Sequence, residues 1–422
     1  MSAELCLGDI VEITMGQSPA GENCNLIGTG LPLLNGPTEF GSKHPHPVQF
    51  TTDPKKTARL GDLLFCVRGS TTGRMNWADQ TYAIGRGIAS IRGRNGYPNS
   101  FIRAAIESKL ESLLIQATGS TFPNVSRELI SSLAIKKVTP EIAKVIASII
   151  EPLDDRIALL RETNTTLEAI AQALFKSWFV DFDPVRAKRE GREPEGMDAD
   201  TAALFPDSFE ESELGLVPKG WRCTTLADAY EINPSRKLKK GETAPYLEMA
   251  SVPTSGHSVM NVIQREMASG TKFINGDTLL ARITPCLENG KSAFVDFLEQ
   301  DQIGWGSTEF VVLRPKAPLP EYHGYLLCRH PAFRTFAIQS MSGTSGRQRI
   351  QNDVIGVYPF VLPSEGVVMV FAEVVEPIQR TIASNHAQAQ TFASIRDTLL
   401  PRLISGQLRL PEAEAIIEEA TA

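Results

Sequence analysis

Two segments of the chain place an arginine and small polar residues directly after a short apolar run. They are RLGDLLFCVRGSTTGRMNW at 59–77 and FINGDTLLARITPCLENGK at 273–291, and a Gly-Asp pair precedes each apolar run. Arginine can donate a forked pair of hydrogen bonds to guanine, and asparagine or glutamine can pair with adenine. The pattern therefore favours contacts with the base edges of a nucleic acid over covalent catalysis. The candidates that differ between the two copies are Arg68, Ser70, Thr71, Thr72 and Arg74 in the first, and Arg282, Thr284, Asn289, Lys291, Arg347, Gln348 and Arg349 in the second.

A second pair of segments repeats a small polar turn ahead of an apolar stretch. ATGSTFPNVSRELI at 117–130 resembles MSGTSGRQRIQNDVI at 341–355. Features that are common to both copies cannot encode two different targets, so they suit turn geometry or contacts with phosphate groups. The candidates of this kind are Ser120, Thr121, Thr344 and Ser345.

The sequence lacks the motifs of common nucleotide-using enzymes. There is no G-x-x-x-x-G-K-[ST] loop, and GTG at 28–30 does not continue as a dinucleotide fingerprint. INPS at 232–235 lacks the second proline and the aromatic residue that would stack on a flipped base. The six cysteines form no C-x-x-C pair, which disfavours a disulfide framework and a zinc site. We expect a non-catalytic chain with no metal site and no cofactor of its own.

The polar loops lie in blocks that are separated by a repeated helical pattern. A shift of 225 residues places Glu151-Pro152 on Glu376-Pro377. After each proline, residues recur at alternating spacings of four and three, as in a coiled-coil seam. We expect each proline to open its long helix, which would measure about 40 Å from 153 to 179. The predicted seam comprises Leu153, Ile157, Leu160, Asn164, Leu167, Leu174 and Trp178 in the first copy and Ile378, Ile382, Asn385, Phe392, Leu399 and Leu403 in the second, with Ala389 and Arg396 as departures from an ideal pattern.

The pattern divides the chain into alternating blocks and helices. We predict a first block at 1–140, a first spacer helix region at 141–182, a linker at 183–220, a second block at 221–364, a second spacer helix region at 365–410 and a tail at 411–422. Both blocks are mixed α/β by pattern, with local helices expected at 101–116 and 322–340. One helix leads away from the first block, and the other returns from the second block. The simplest arrangement of two such helices is an antiparallel pair.

The charge distribution is compatible with nucleic-acid binding despite a net charge of −7. The first block has a net charge of +3 and the segment 221–364 has +2, whereas 141–185, 186–220 and 365–422 each have −4. The potential near a surface depends on charges within about 8–10 Å, so an acidic chain can present two basic surfaces. No run of about 18 uncharged apolar residues occurs, so we expect a cytoplasmic protein without membrane contact.

The order of parts resembles the specificity subunit of type I restriction-modification systems. The resemblance rests on LDDRIALLRETNTTLEAIAQALFKSWFVDFDPVRAK, TGSTFPNVS, ELGLVPKGW and LLPRLISGQL. It implies two α/β (mixed α+β) target recognition domains in a pseudo-twofold arrangement, separated by two long antiparallel coiled-coil helices. Each domain would read one half of an asymmetric, bipartite sequence in double-stranded DNA. The resemblance also implies docking of two adenine methyltransferase subunits and of restriction and translocase subunits, with S-adenosylmethionine, ATP and Mg expected on those partners.

Two other functions are compatible with parts of the pattern. The blocks and the coiled coil could form an interaction scaffold that binds proteins and no DNA, which predicts no salt-dependent affinity for a duplex. A self-contained DNA-modifying enzyme would bind its cofactor as a purified chain, and the missing motifs argue against it.

Overall fold

The chain forms two compact units in the computed structural model. The structure describes residues 4–69, 71–117, 123–344, 346–404, 407–408, 411–413 and 415–416. The first unit consists of the described residues up to Glu162 together with those from Ala387 onwards. The second unit runs from Thr163 to His386.

The first unit combines three sheets with short helices. Its strands are β1 (Glu4–Cys6), β2 (Val11–Met15), β3 (Cys24–Asn25), β4 (Leu31–Leu34), β5 (Gln49–Thr51), β6 (Thr57–Ala58), β7 (Leu63–Cys66), β8 (Met75–Trp77), β9 (Tyr82–Ile84), β10 (Ile88–Gly93) and β11 (Ala134–Lys136). They pair in the orders β1-β11, β2-β10-β7-β8 and β3-β5-β4-β9-β6. The helices are α1 (Leu7–Ile10), α2 (Asn99–Glu107), α3 (Leu110–Gln116), α4 (Arg127–Ser131) and the first part of α5 (Pro140–Phe179), with 3-10 turns at Gly21–Asn23 and Pro37–Glu39.

The second unit repeats this plan. Its strands are β12 (Phe209–Ser212), β13 (Gly215–Pro218), β14 (Arg222–Thr225), β15 (Tyr230–Ile232), β16 (Thr243–Leu247), β17 (Val262–Glu266), β18 (Thr271–Phe273), β19 (Thr278–Ala281), β20 (Ser292–Phe294), β21 (Gly304–Gly306), β22 (Phe310–Pro315) and β23 (Pro359–Leu362). They pair in the orders β12-β13, β14-β23, β15-β22-β19-β20 and β17-β16-β21-β18. The helices are α6 (Asp183–Arg189), α7 (Ala199–Ala203), α8 (Leu226–Ala229), α9 (Tyr322–Arg329), α10 (Pro331–Gln339), α11 (Asn352–Gly356) and α12 (Glu365–Ile404), with a 3-10 turn at Met249–Ser251.

The Gly-Asp pairs that precede the two apolar runs hold equivalent positions in the two units. Gly61 and Gly276 have φ angles of 81° and 88°, a left-handed conformation that favours glycine. The next residue, Asp62, is buried and accepts hydrogen bonds from the Arg59 N–H at 2.8 Å and the Arg92 Nε at 2.5 Å. Its counterpart, Asp277, is also buried and accepts hydrogen bonds from the Ile274 N–H at 2.9 Å and the Arg314 Nη1 at 2.8 Å. A carboxylate thus fixes the start of the strand that carries each polar loop.

The long helices begin earlier than the sequence predicted. Pro152 lies inside α5, which begins at Pro140, and Pro377 lies inside α12, which begins at Glu365. The prediction that each proline opens its helix is therefore wrong. A proline removes one helical hydrogen bond, but the turns before Pro152 bury Ile146, Ile149 and Ile150, and this packing continues the helix through it.

The helices pack as antiparallel pairs within each unit. In the first unit Asp154 lies opposite Arg396, and Ile157 and Leu160 pack on Ala389. In the second unit Asn164 lies opposite Asn385, and the rings of Trp178 and Phe371 are 5.7 Å apart. Later residues of α5 thus meet earlier residues of α12. Each residue of the predicted seam is buried or half-buried.

Ala389 and Arg396, the two departures from an ideal seam, pack in different ways. The small Ala389 side chain is buried against Ile157 and Leu160. The Arg396 Nη1 instead donates to Asp154 Oδ1 at 2.7 Å, and both side chains are less than one-fifth exposed. An ion pair therefore replaces one apolar contact of the seam.

The segment 183–220, predicted as a linker, has regular structure. It contains the short helices α6 and α7 and the β12-β13 hairpin. Val185, Phe205 and Val217 are buried. In the part of the chain that the structure describes, no helix is long and apolar enough to cross a membrane.

Candidate nucleic-acid interface

The polar loop of the first unit follows strand β7 and meets a second segment. The Val125 N–H donates to the Val67 carbonyl at 2.8 Å, and Arg68 forms an isolated bridge with Asn124. Arg68 and Thr71 are exposed. Burial raises the pKa of the Cys66 thiol at the end of β7, so it stays protonated and donates to the Arg68 carbonyl at 3.4 Å. The strand therefore presents Arg68 to solvent on a fixed backbone.

Two other candidates in this loop stabilise its conformation. The Thr72 hydroxyl lies 2.8 Å from the Gly69 carbonyl and 2.9 Å from the Pro123 carbonyl. The Arg74 guanidinium donates to the carbonyls of Pro37 and Phe40, each at 3.3 Å. Ser70, Ser120 and Thr121 lie outside the described residues.

In the second unit, the segments 282–291 and 342–349 come together. The Thr284 N–H donates to the Gln348 carbonyl at 3.0 Å, and the Gln348 N–H donates to the Thr284 hydroxyl at 3.1 Å. Ile283 and Ser342 each bridge to Arg349. Candidates that are about 60 residues apart in sequence thus form one surface of the unit.

The remaining candidates of the second unit differ in how far they reach solvent. Lys291 is half-buried, and its Nζ donates to the Met249 carbonyl at 2.6 Å. Asn289, Thr344 and Arg347 are exposed. Lys291 therefore stabilises the loop, while the other three side chains face solvent. Ser345 lies outside the described residues.

A carboxylate that the sequence analysis did not single out lies between two of the candidate arginines. The Arg349 Nε and Nη2 donate to the two oxygens of Glu309 at 2.8 and 2.5 Å. The Arg282 Nε lies 3.7 Å from Glu309 Oε2, and its Nη1 donates to Asn352 Oδ1 at 3.2 Å. The hydrogen bonds and charge of Glu309 raise the pKa of Arg349, which remains a cation.

The same backbone positions in the first unit carry no such cluster. The Val67 N–H donates to the Gly87 carbonyl and the Arg282 N–H donates to the Glu309 carbonyl, each at 2.9 Å. The Val125 N–H donates a hydrogen bond to the Val67 carbonyl, and the Ile350 N–H donates the equivalent hydrogen bond to the Arg282 carbonyl. Val67, Gly87 and Asn124 therefore correspond to Arg282, Glu309 and Arg349. The frameworks agree, while the side chains at the loops differ.

Comparison with known proteins identifies this framework. Residues 2–169 match the family described as "Type I restriction modification DNA specificity domain". The specificity subunit of the type I restriction enzyme HindI from Haemophilus influenzae is 26% identical over 84% of this chain and 88% of its own length. The MjaIX specificity subunit from Methanocaldococcus jannaschii is 25% identical over 78% of this chain and 73% of its own length. These matches confirm the resemblance of the chain to the specificity subunits of type I restriction-modification systems.

The chain also has the fold that the resemblance implied. The crystal structure of an S subunit from M. genitalium matches it with a TM-score of 0.55 and 15% identity, over 95% of each chain. At that identity the likeness concerns the fold alone. The expectation of mixed α/β units with a pair of long helices is confirmed.

The repeat in the sequence contains a signal for Glu309. Glu309 lies 27 residues after Arg282 and 40 before Arg349, so spacing alone does not group the three. It directly precedes strand β22, however, whereas Gly87 precedes the equivalent strand β10 in the first unit. A residue-by-residue comparison of the two copies would have marked this position as different.

Proposed function

We propose that this specificity subunit reads an asymmetric, bipartite sequence in double-stranded DNA, one part with each unit. The observation that supports it is the repeated framework with different loops. Equivalent backbone hydrogen bonds fix Val67 and Arg282, whereas the side chains around them differ in charge and size. Two units that share a backbone framework but differ in their loop side chains are suited to bind two different halves of a DNA target.

Exposed side chains at the loops are the proposed DNA contacts. Arg68 and Thr71 belong to the first reader, and Arg347 and Arg349 belong to the second. Thr72, Arg74 and Lys291 bind backbone carbonyls and act mainly by shaping the loops. Phosphate contacts add a salt-dependent term, so the affinity for a duplex falls steeply as salt is raised.

The long helices set the unread gap between the two halves. From Pro140 to Phe179, α5 measures about 60 Å, which exceeds one DNA turn of about 34–36 Å. The insertion of seven residues into both helices preserves the seam and changes the gap. A gap that stays constant in such a variant argues against the spacer role.

The same helices are the proposed docking surface for partner subunits. Ile142, Val145 and Leu159 in the first unit, and Ile170 and Met369 in the second, are exposed apolar residues on α5 and α12. They suit the docking of two adenine methyltransferase subunits, with restriction and translocase subunits joining the assembly. This chain would then be non-catalytic, and S-adenosylmethionine, ATP and Mg would bind to the partners.

Mapping of methylated adenines in the host genome tests the proposal. The map is made with the gene intact, with the gene deleted and with the gene restored. We expect one asymmetric, two-part motif to lose methylation on deletion and to regain it on restoration. An unchanged map, together with duplex binding that does not respond to salt, would instead favour a protein-binding scaffold.

A further inference from the structure

Glu309 holds two arginines at the loop surface of the second unit. The carboxylate accepts two hydrogen bonds from Arg349 and lies 3.7 Å from the Arg282 Nε. The side chains of Arg282 and Glu309 are 19% and 22% exposed, whereas that of Arg349 is 42% exposed. Arg349 is therefore the member of the cluster that reaches furthest into solvent.

The geometry of the pair leaves one edge of Arg349 available. Glu309 binds the edge formed by Nε and Nη2, so the end formed by Nη1 and Nη2 keeps N–H groups that point away from the carboxylate. A guanidinium end of this kind matches the O6 and N7 acceptors of guanine in the major groove. Both Glu309 oxygens are engaged by Arg349, which makes the carboxylate a poor acceptor for cytosine.

Arg282 supports the pair and is less suited to contact a base. Its Nη1 donates to Asn352 Oδ1 at 3.2 Å, and its Nε faces Glu309. Two cations and one carboxylate give the cluster a net charge of +1. The cluster therefore keeps a positive charge at the surface while the orientation of Arg349 is fixed.

The cluster is specific to one unit. Val67, Gly87 and Asn124 hold the equivalent backbone positions in the first unit. A Cβ on Gly87 would lie 2.4 Å from the Asn35 carbonyl oxygen, so an acidic side chain does not fit there without a backbone shift. The first unit thus cannot form the same contact.

From this geometry we infer that Arg349 reads a guanine in the half of the target that belongs to the second unit, with Glu309 as its positioning residue. The inference rests on the proposed function. It adds the identity of one base, assigns that base to one half of the target and gives a role to Glu309.

Methylation motifs of variant specificity subunits, expressed with the host methyltransferase in a strain that lacks the wild-type gene, test the inference. Arg349→Lys keeps the charge and removes the fork. Glu309→Gln keeps the size and removes the carboxylate. The matched control is Arg222→Lys, which alters an exposed arginine on strand β14 of the same unit, outside the segments 282–291 and 342–349.

We expect the Arg349→Lys motif to lose preference at one guanine by about 5- to 150-fold, the equivalent of one forked base contact. Glu309→Gln should weaken preference at that same position. The other half of the motif, and the whole motif of the Arg222→Lys control, should stay as in the wild type. If Glu309→Gln does not accumulate as a folded protein, Arg349→Lys alone decides.

Two results would overturn the inference while the proposed function stands. One is an unchanged motif for Arg349→Lys, and the other is a change in the half that Arg68 variants affect. Failure of the proposed function is different, since the wild-type gene itself would then produce no two-part motif.

Discussion

The Asn385 Nδ2 donates a hydrogen bond to Asn164 Oδ1 across the helix pair, at a distance of 2.9 Å. The Asn164 Nδ2 in turn donates to the Ile382 carbonyl at 3.0 Å. Both side chains are half-buried in an otherwise largely apolar seam. A paired asparagine of this kind favours one register of two helices over neighbouring ones.

Replacement of one member of this pair should destabilise the second unit. Asn385→Leu leaves Asn164 Oδ1 without its donor, at a cost of about 1–2 kcal/mol in the free energy of unfolding. The double variant Asn164→Leu/Asn385→Leu should recover part of that loss because neither polar group remains. Denaturant unfolding measures both, with Arg380→Ala on the exposed side of α12 as the control. Equal costs for the single and double variants would contradict the pairing.

The Arg396–Asp154 ion pair should be costly to break from one side. Arg396→Leu removes the cation that is hydrogen-bonded to the largely buried Asp154 carboxylate, and we expect a loss of about 1–3 kcal/mol in unfolding free energy. Arg396→Leu/Asp154→Leu restores an apolar seam and should be more stable than the single variant. A double-mutant cycle measures the coupling. Zero coupling would show that the pair contributes nothing to the packing of the helices.

Acid should destabilise the second unit through His323. The imidazole is fully buried and hydrogen-bonded to the Tyr230 hydroxyl, and burial lowers its pKa to about 3. The unfolded chain protonates this histidine near pH 6.5, so the unfolded state binds more protons and stability falls as the pH drops below that value. The loss between pH 7 and pH 5 is about 2 kcal/mol.

The control for this effect is His323→Phe/Tyr230→Phe, which removes the titrating group together with its hydroxyl partner. Unfolding free energies at several pH values should show a weaker acid dependence in the variant by that amount. The other histidines contribute equally to both proteins. Parallel pH profiles would mean that His323 is not the origin of the effect.

The buried aspartates at the strand starts should be important in both units. Asp62→Asn removes a charge that binds Arg92 and a backbone N–H, and Asp277→Asn removes one that binds Arg236, Arg314 and a backbone N–H. We expect a cost of about 3 kcal/mol in each case, because the arginines lose their buried carboxylate. Hydrogen exchange should show the loss in the unit that carries the substitution. An even loss in both units would contradict the division into two units.

Single arginine variants should separate the two readers. Arg68→Ala is expected to relax base preference in one half of the methylation motif, and Arg282→Ala in the other, by about 1–3 kcal/mol at most. Because Arg282 and Arg349 share Glu309, Arg282→Ala should act at the same base as Arg349→Lys. A uniform loss of affinity on all duplexes would instead identify a phosphate contact.

The repeat in the sequence predicted the framework well and the partners of individual side chains poorly. The Gly-Asp turns, the apolar strands and the seam from Leu153 to Leu403 follow from local patterns, and the structure contains them. Local patterns also produced the wrong prediction that the long helix begins at Pro152. The helix continues there because distant residues, such as Leu399, share a core with the turn before the proline.

The candidate site was predicted in part for the same reason. Arg68 and Arg347 are exposed, as a contact residue must be, whereas Thr72 and Lys291 bind backbone carbonyls that are far from them in sequence. Glu309 meets its arginines only because strands β19 and β22 are neighbours in one sheet. Such pairings depend on topology, which residue spacing does not reveal.

The matching Asp62–Arg92 and Asp277–Arg314 pairs have a consequence for changes of specificity. Both units have the same internal ion pair, whereas the loops that surround Val67 and Arg282 differ. If each unit reads one part of a target as proposed, substitutions in one loop would exchange that part alone and leave the framework and the other part as they were.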